Sequence, residues 1–582
     1  MTSEALVLGP LIRHVDTTST SIWVETRDPA RVTVRAADRS WRARTFVVHG
    51  HHYALVELDG LEPGTCAPYT VDVDGEEVWP PADTEFPPSR IATLEPDRPL
   101  RMAFGSCRTS VPHDADGNRT HGVDALRAYA LKMAQDYAGP GDAGNWPDLV
   151  LFLGDQVYAD ETTDEMREFI EARRDIEQAP WAELKNYEEY AHLYKLAWAE
   201  PMNRWLLSTL PSSMIFDDHD IRDDWNTSES WRAEMERTSW WHERIVAGLS
   251  SYWVYQHLGN LAPGERAEDE IWQKIRAARD DEEELDLTET LDAFADRVDQ
   301  HPDTYRWSFV RDLGHSRLIV VDSRAARVLK SGQRSILDES EMTWLDDQMQ
   351  GGFEHLFIGT SLPFLLSPGL HHFEAWSEAV VAGCWGKRGA WVGEKVRQMV
   401  DLEHWAAFQE GFQKVAAMVV DVADGKRGPA PGTITFLSGD VHHSYVAEVK
   451  RPSGSRIVQA VCSPIRNPLP RSMRFATAAL AYGVAGPLGR ITARSAHVKS
   501  PPFHWRFVEG PWYDNNLATL EETVHCLRMW WETGVVRDGQ EDRPTLETVA
   551  SVNLEPGKRF TPAEKWKARW ARVRSGDSPR AR

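Results

Sequence analysis

The segment from Asp148 to Asp160, DLVLFLGDQVYAD, constrains the fold of this chain more than any other segment. Its five consecutive apolar residues are too few for a helix and lie between Pro147 and Gly154, which predicts a buried strand that ends in a tight turn. Asp155 follows at the carboxyl end of that strand, where open α/β sheets place their ligand-binding groups. A Gly-Asp turn is also an ordinary tight turn, so this segment alone leaves both interpretations open.

The same construction recurs at three other places. Short apolar runs lead into Cys107 in RMAFGSCR, into Asp217, Asp218 and His219 in MIFDDHD, and into Asp440, His442 and His443 in TITFLSGDVHH. Thiolate, carboxylate and imidazole groups are all metal ligands. Four strand ends that each deliver such a group therefore predict a metal site.

Composition narrows the class of protein. The chain has 582 residues, of which 42% are hydrophobic, enough for a large core and two domains. Its formal charge of −24 argues against nucleic acid or an anionic membrane as the main partner. No signal peptide and no membrane span is apparent, and the five cysteines contain no CxxC pair, so we expect a cytoplasmic protein.

The hydrophobic pattern predicts two folded domains. Residues 1–95 alternate short β-rich runs with turns rich in Gly, Pro and Asp, which is typical of a small antiparallel β-sandwich. Residues 96–560 alternate buried strands with helices, which places this domain in the α/β class. Within it, charged helical inserts are predicted at about 161–210 and 229–298.

Residues 561–582 form a basic tail with Trp566 and Trp570 at helical spacing. Such a helix can dock its tryptophans on the body of the protein while its basic face lies against an acidic neighbour. We prefer this docking to contact with nucleic acid, because the rest of the chain is acidic.

The residue types at the strand ends suit two metal ions rather than one. Two ions a few ångströms apart can clamp a phosphate and activate a water, and they need a bridging carboxylate, for which Asp155 is suited. The Cys107 thiolate and the Tyr158 phenolate are anionic donors that favour a ferric ion on one side. Taken alone, a cysteine such as Cys107 is more often a small buried hydrophobe, and Tyr158 is equally a core or rim tyrosine.

Oxygen ligands for the second ion come from the third motif. The carboxylates of Asp217, Asp218 and Asp224 favour a harder divalent ion, although Asp217 or Asp218 can also cap the following helix. Asp440 and His442 can both point into one cleft if the backbone has left the strand, which Gly439 permits.

The motifs GSC, LGDQVY, FDDHD and LSGDVHHS, in this order, resemble those of the PhoD-like (alkaline phosphatase D-like) branch of the calcineurin-type metallophosphoesterases. The resemblance covers most of the chain, from Leu6 to about Val508. It implies a four-layer α/β/β/α catalytic domain preceded by a small all-β, immunoglobulin- or fibronectin-like sandwich. It also implies a metal centre that pairs iron (Fe³⁺) with calcium, and hydrolysis of phosphate esters.

The resemblance also implies roles for individual residues. Cys107, Asp155 and Tyr158 match the iron-side ligands, and Asp440 and His442 match the final metal-binding motif. His219 matches the histidine that can protonate a leaving group.

The third motif departs from the family pattern. Where that branch usually has DDHE followed by two asparagines, this chain has DDHD followed by Asp223 and Asp224. The added negative charge leaves magnesium, manganese or zinc open beside calcium at the second site. Asn226 is an alternative ligand if the loop is shifted.

Two arginines, Arg108 and Arg222, lie in or beside these motifs. A guanidinium group matches two phosphate oxygens, so either residue can clamp the substrate. The alternative is that each simply pairs with surplus carboxylate.

We therefore expect a metal-dependent phosphomonoesterase or phosphodiesterase that uses a metal-bound hydroxide. One alternative is a dinuclear hydrolase of another ester class, because the same centre polarises carbonyl oxygens. The other is a binding protein whose metal centre is purely structural.

Overall fold

The structure is a computed structural model that describes residues 5–137, 146–279, 281, 283–330, 332–399, 402–469, 485–523 and 526–554. Its amino-terminal part is all β. Nine strands build this region: β1 (Leu6–Val15), β2 (Thr20–Thr26), β3 (Arg31–Ala36), β4 (Arg39–Arg44), β5 (Phe46–Val48), β6 (His51–Leu58), β7 (Cys66–Val73), β8 (Glu76–Trp79) and β9 (Arg90–Ala92).

These strands form two antiparallel layers. One has the order β1-β2-β6-β5 and the other β4-β3-β7-β8, with β9 paired to β7. Ile22 and Val56 of the first layer share a core with Val34 and Val71 of the second, and all four are fully buried. The predicted all-β region before the catalytic domain is confirmed.

Fourteen further strands lie in the described part of the chain. They are β10 (Arg101–Gly105), β11 (Leu149–Leu153), β12 (Ser212–Ile215), β13 (Leu285–Asp286), β14 (Phe309–Leu313), β15 (Ser316–Val321), β16 (His355–Thr360), β17 (Thr433–Ser438), β18 (Ser444–Val449), β19 (Arg456–Val461), β20 (Trp505–Trp512), β21 (Leu517–Thr523), β22 (Cys526–Val535) and β23 (Thr545–Leu554). All but β13 belong to two large sheets. One has the order β12-β11-β10-β21-β22-β23 and the other β14-β15-β16-β17-β19-β18-β20.

Helices connect and cover these strands. Their bounds are α1 (Ala115–His121), α2 (Ala125–Gln135), α3 (Asp164–Glu171), α4 (Tyr187–Trp198), α5 (Pro201–Leu207), α6 (Glu229–Met235), α7 (Trp241–Tyr252), α8 (Leu258–Asn260), α9 (Pro263–Glu268), α10 (Glu270–Ala277), α11 (Thr288–Gln300), α12 (Glu339–Gln348), α13 (Pro368–Val381), α14 (Gly386–Met399), α15 (Gln409–Ala423) and α16 (Ala485–Ser495). A π-helical turn, Trp253–His257, joins α7 to α8, and 3-10 turns lie at Pro302–Thr304 and Trp405–Ala407.

The two large sheets pack face to face with helices outside them. Leu151 of β11 lies in one core with Phe357 and Leu437 of the opposite sheet, while Val150 and Phe152 lie in the core formed with the helices on the other side. Because both faces of β11 are buried, its sequence is continuously apolar. The predicted α/β class and its α/β/β/α layers are confirmed.

Some features follow no pattern that we recognised in the sequence. Strands β21 to β23 lie beyond Val508 and extend the first sheet through the antiparallel pairing of β10 with β21. The short strand β13, which lies in the second helical insert, pairs with β5 of the amino-terminal sandwich. The predicted domain boundaries stay predictions, and the tail at 561–582 lies outside the described residues. Within the described ranges, a helix suited to crossing a bilayer is absent.

Candidate metal centre

The predicted metal-binding side chains meet where the two large sheets face each other. Cys107, Asp155 and Asp217 each lie two residues beyond the ends of β10, β11 and β12, three neighbouring parallel strands. Asp440 lies two residues beyond the end of β17 in the opposite sheet. Because parallel strands end at the same edge, their terminal turns present side chains to a common site.

The backbone at these turns is unusual. Cys107, Asp155, Asp440 and His442 have φ angles of 57°, 42°, 63° and 50°, in the left-handed region that residues other than glycine rarely adopt. Such conformations cluster at functional sites, where the surrounding structure holds them. Gly439 acts sterically, because a Cβ there would lie 1.9 Å from Ser106 Oγ. The residues of this turn with positive φ angles are therefore Asp440 and His442, while Gly439 provides room for Ser106.

One group of possible ligands combines three donor types. Cys107, Asp155 and His442 each offer an atom within 4.8 Å of the others. Ser106 Oγ lies 3.1 Å from Cys107 Sγ, and the Ser463 hydroxyl donates to the same sulfur at 3.3 Å. Burial, followed by the charges of Asp155 and Asp440, raises the pKa of the Cys107 thiol well above its ordinary value. A thiolate here needs a cation beside it.

Tyr158 lies next to this first group. Its hydroxyl donates to Asp155 Oδ2 at 3.4 Å, and its side chain is buried. Burial raises the pKa of Tyr158 well above 10, and the nearby Cys107 and Asp155 raise it further. The phenol oxygen thus lies beside the carboxylate that we predicted as the bridge.

A second group consists of carboxylates alone. Asp155, Asp217, Asp218 and Asp440 each offer an oxygen within 4.8 Å of the others, so Asp155 belongs to both groups. Asp155 Oδ1 and Asp217 Oδ2 are buried and have no hydrogen-bond partner among the described residues. Burial raises the pKa of both carboxyl groups, and their acidic neighbours raise it further. Buried acidic oxygens without donors fit metal cations.

His219 lies at the edge of the second group. Its Nδ1 is 2.8 Å from Asp160 Oδ1, and its ring centroid lies 4.8 Å from that of Tyr158. Burial alone would lower the pKa of His219, but Asp160, Asp218 and Asp155 together raise it well above 6.5. The Asp160 carboxylate fixes the ring orientation, which leaves Nε2 toward Asp223 Oδ1 at 3.9 Å.

The third motif arranges its two aspartates differently from our expectation. Asp223, with Asp218 and His219, forms a further group whose possible ligand atoms lie within 4.8 Å of one another, whereas Asp224 is in none of these groups. The Asp224 backbone N–H donates to Asp218 Oδ2 at 3.0 Å, so Asp224 positions a predicted ligand through its main chain. The amide of Asn226 donates to the Arg324 carbonyl at 3.3 Å.

The two arginines that we considered as phosphate clamps are paired with carboxylates. Arg108 is buried and donates through Nε and Nη2 to Asp124 Oδ2 at 2.9 and 2.8 Å, while Nη1 donates to the Ala197 carbonyl at 2.7 Å. Arg222 donates to both carboxylate oxygens of Glu183, at 3.1 and 3.4 Å. These contacts favour the alternative in which each arginine balances an acidic residue.

A buried arginine that the sequence analysis did not select lies against the acidic group. Arg324 is fully buried, forms ion pairs with Asp217 and Glu403, and has Nη2 3.1 Å from Asp218 Oδ1. It follows β15 in the run VVDSR, so the strand-end rule that selected the other motifs would also have found it. Its guanidinium neutralises part of the acidic charge.

A histidine and a glutamate that were also missed in the sequence, His404 and Glu374, lie beside Asp440. His404 Nε2 lies 3.2 Å from Asp440 Oδ2, and His404 Nδ1 lies 2.8 Å from Glu374 Oε1. Glu374 is fully buried in α13, far from Asp440 in sequence. No local pattern marks either residue, because their function depends on long-range packing.

The structure thus combines a four-layer α/β/β/α sandwich with two groups of possible metal ligands that share one aspartate. The family model of the PhoD-like phosphatases matches residues 132–485, and the chain belongs to this family. As a member it is a phosphoric ester hydrolase. A model described as a domain of unknown function (DUF7800) matches residues 3–91, which span the amino-terminal sandwich. No curated protein matches the chain.

Among solved structures, PhoD is similar over 96% of this chain and 94% of its own, with a TM-score of 0.57 at 13% identity. This likeness concerns the fold. A type III pullulan hydrolase from Thermococcus kodakarensis reaches a TM-score of only 0.13 at 8% identity, over 95% of this chain and 99% of its own. That score is too low to bear on the fold.

Proposed function

We propose that the chain hydrolyses phosphate monoesters or diesters at a centre of two metal ions bridged by Asp155. The observation that carries this proposal is the membership of Asp155 in two ligand groups of different chemistry. Its buried Oδ1, which has no donor among the described residues, supports the same conclusion. A bridging carboxylate with unlike ligands on its two sides is the arrangement that two-metal hydrolysis requires.

The donors on each side support different ions. Sulfur from Cys107, nitrogen from His442 and a phenolate from Tyr158 suit iron as Fe³⁺. The carboxylates of Asp217 and Asp218 suit calcium, with magnesium, manganese or zinc as alternatives. Asp440 lies near both groups, because its oxygen belongs to the carboxylate group while its carbonyl lies 3.6 Å from Cys107 Sγ.

The chain's own residues perform the remaining tasks. When bound, the metal pair supplies the nucleophile by lowering the pKa of water, and it neutralises charge on the phosphoryl group. His219 donates a proton to the leaving oxygen from Nε2, because Asp160 occupies its Nδ1. Arg324 holds Asp217 and Asp218 in place and limits the repulsion between them.

The two alternative functions differ from the proposed one in the esters that the protein would hydrolyse. A hydrolase of another ester class would act on a carboxylic ester but not on a phosphate ester, and a binding protein with a structural metal centre would act on neither. The test is to assay the purified protein, loaded with iron and calcium, on an aryl phosphate, a bis-aryl phosphate and an aryl acetate. Phosphate-ester turnover that Asp155→Asn abolishes supports the proposal, and turnover that survives this change overturns it.

A further inference from the structure

A cavity of about 860 Å³ lies beside the loop that carries the third motif. Its wall includes Glu229 and Ser230, which come soon after Asp224, and parts of α13, α14 and α15. Leu329, Val381 and Trp391 give it an apolar part, and Trp391 is 68% exposed at its mouth. The cavity is therefore open to solvent, large enough for an extended ligand, and close to the candidate metal centre.

Two arginines in the wall of this cavity are buried. Arg334 and Arg397 are only 6% and 5% exposed. In each, Nε and Nη1 are buried and have no hydrogen-bond partner in the described part of the chain. Arg334 Nη2 donates to the Thr227 carbonyl at 2.8 Å, and Arg397 Nη2 forms an ion pair with Glu394.

Four buried donor nitrogens without partners are costly, since each one loses its hydrogen bonds to water. A buried polar group of this kind calls for an explanation such as a bound ion or ligand. Guanidinium groups are also the side chains that best match the oxygens of phosphate and carboxylate. The two arginines thus offer the chemistry of an anion site within a wall that also contains Glu229, Glu394 and Glu410.

The charges around the arginines also favour binding of an anion. Burial, and next the charge of Arg397, lower the pKa of Arg334 to about 9, which still leaves its guanidinium charged at neutral pH. Burial raises the pKa of Glu378 to about 7, so this neighbouring carboxyl group is only partly ionised there. Its Oε2 already accepts from the Gln409 N–H at 2.9 Å. Arg397 is paired with Glu394, so Arg334 is the arginine whose charge its surroundings balance incompletely.

The cavity is connected to the candidate metal centre through one loop. Arg334 binds the carbonyl of Thr227, and Arg327 Nη1 lies 3.2 Å from the carbonyl of Asn226. The same loop begins at Asp223 and Asp224, beside Asp218 and His219. The loop therefore places the cavity beside the candidate centre, because Glu229 and Ser230 of the cavity wall follow Asp224 by five and six positions.

We propose that Arg334 and Arg397 bind a second anionic group of the substrate, so that the enzyme acts on phosphate esters that carry a further phosphate or carboxylate at a distance from the reacting phosphoryl group. This inference rests on the proposed function for the reacting end of the substrate. The apolar walls at Leu329 and Val381 would contact the carbon chain between the two anionic groups. Glu394, which pairs with Arg397, competes with the incoming anion.

Binding of ligands that cannot be hydrolysed tests the inference without turnover. Alkane α,ω-bisphosphonates with two to six carbons are titrated calorimetrically against alkyl monophosphonates of matched length. We expect one chain length to bind at least about tenfold more tightly than its monophosphonate, through charge-assisted hydrogen bonds to the arginines. An ω-phosphonocarboxylate series then distinguishes a distal phosphate from a distal carboxylate.

Substitutions assign the preference to the two arginines. The quantity compared is the dissociation constant of the monophosphonate divided by that of the bisphosphonate. Arg397→Gln and Arg334→Gln should each reduce this ratio toward one, whereas Glu394→Gln should increase it. Arg42→Gln, which removes an exposed arginine of β4, is the matched control and should keep the wild-type ratio. Circular dichroism checks that each variant folds. If Arg334→Gln does not fold, Arg397→Gln and Arg397→Lys are used to test whether the bisphosphonate preference depends on the arginines.

Two results would overturn the inference: no preference in wild type at any chain length, or a preference that Arg397→Gln leaves intact. Failure of the proposed function has a different signature, namely an aryl phosphate that wild type does not hydrolyse or that Asp155→Asn hydrolyses equally well. The bisphosphonate preference does not depend on that outcome, since it measures binding alone.

Discussion

The two sides of Asp155 are built in different ways. On one side Cys107 and His442 offer sulfur and nitrogen, with the Tyr158 hydroxyl nearby. On the other side Asp217 and Asp218 offer only carboxylate oxygens. The second side also includes a buried cation of the protein itself, since Arg324 forms ion pairs with both of these aspartates.

This difference shows how a protein can hold much negative charge in a buried site. The mixed-donor side has few charges and uses donors that suit a highly charged ion. The carboxylate side concentrates negative charge, and Arg324 balances part of it. The negative charge that remains suits a divalent ion. The predictions below test this contrast, from the largest expected effect to the smallest.

Asp155→Asn should affect both sides at once. Loss of the shared carboxylate charge should release both metal ions and reduce kcat by roughly 10³-fold or more. Metal analysis after gel filtration, together with an aryl phosphate assay, measures both effects. Asp72→Asn is the matched control, because Asp72 is a buried aspartate of β7 that accepts from Arg35 Nε at 2.8 Å, in the amino-terminal sandwich. Loss of one metal alone from Asp155→Asn would contradict the bridge.

His219→Ala tests the edge of the carboxylate side. Without a proton donor, hydrolysis of an alkyl phosphate should slow by about 10² to 10⁴-fold, whereas an aryl phosphate, whose leaving oxygen scarcely needs a proton, should change little. The measurement is kcat on both esters with metal content determined in parallel. An equal loss on the two esters would indicate that His219 holds metal or phosphate instead.

Tyr158→Phe tests the mixed-donor side. A phenolate bound to ferric ion absorbs visible light, so the oxidised wild type should be coloured and the variant should lose or strongly shift the band. Iron retention should fall by about 10 to 100-fold at most, because the ring still packs and other ligands remain. Cys107→Ser should also perturb the band. A spectrum that is unchanged in Tyr158→Phe, at full iron content, would exclude Tyr158 as a ligand.

The smallest effect is expected at the two aspartates of the third motif. Asp223→Asn removes a carboxylate that lies within the group of Asp218 and His219, so calcium should bind about tenfold more weakly. Asp224→Asn should change affinity less, because Asp224 supports Asp218 through its backbone N–H, which the variant retains. Titrations of calcium, magnesium and manganese compare the two. A larger effect at Asp224 would restore it as a direct ligand.

The sequence predicted the two sides unequally well. The mixed-donor side depends on Cys107, Asp155 and His442, which lie two to four residues beyond the ends of their strands. The carboxylate side was predicted only in part. Asp217 and Asp218 were identified, but their ion pairs with Arg324, the ion pair of Arg324 with Glu403 and the different positions of Asp223 and Asp224 were not. The cytoplasmic location and the residue roles stay predictions.

The sequence by itself determined the strands and the turns that carry possible ligands, because run length, apolar content and turn residues act over a few neighbouring positions. Only the tertiary structure decided which charges meet. Arg222 pairs with Glu183, 39 positions away, and Arg324 pairs with Glu403, 79 positions away. The energy of a buried ion pair depends on the distance between charges and on their removal from water, and both are set when separate elements pack together.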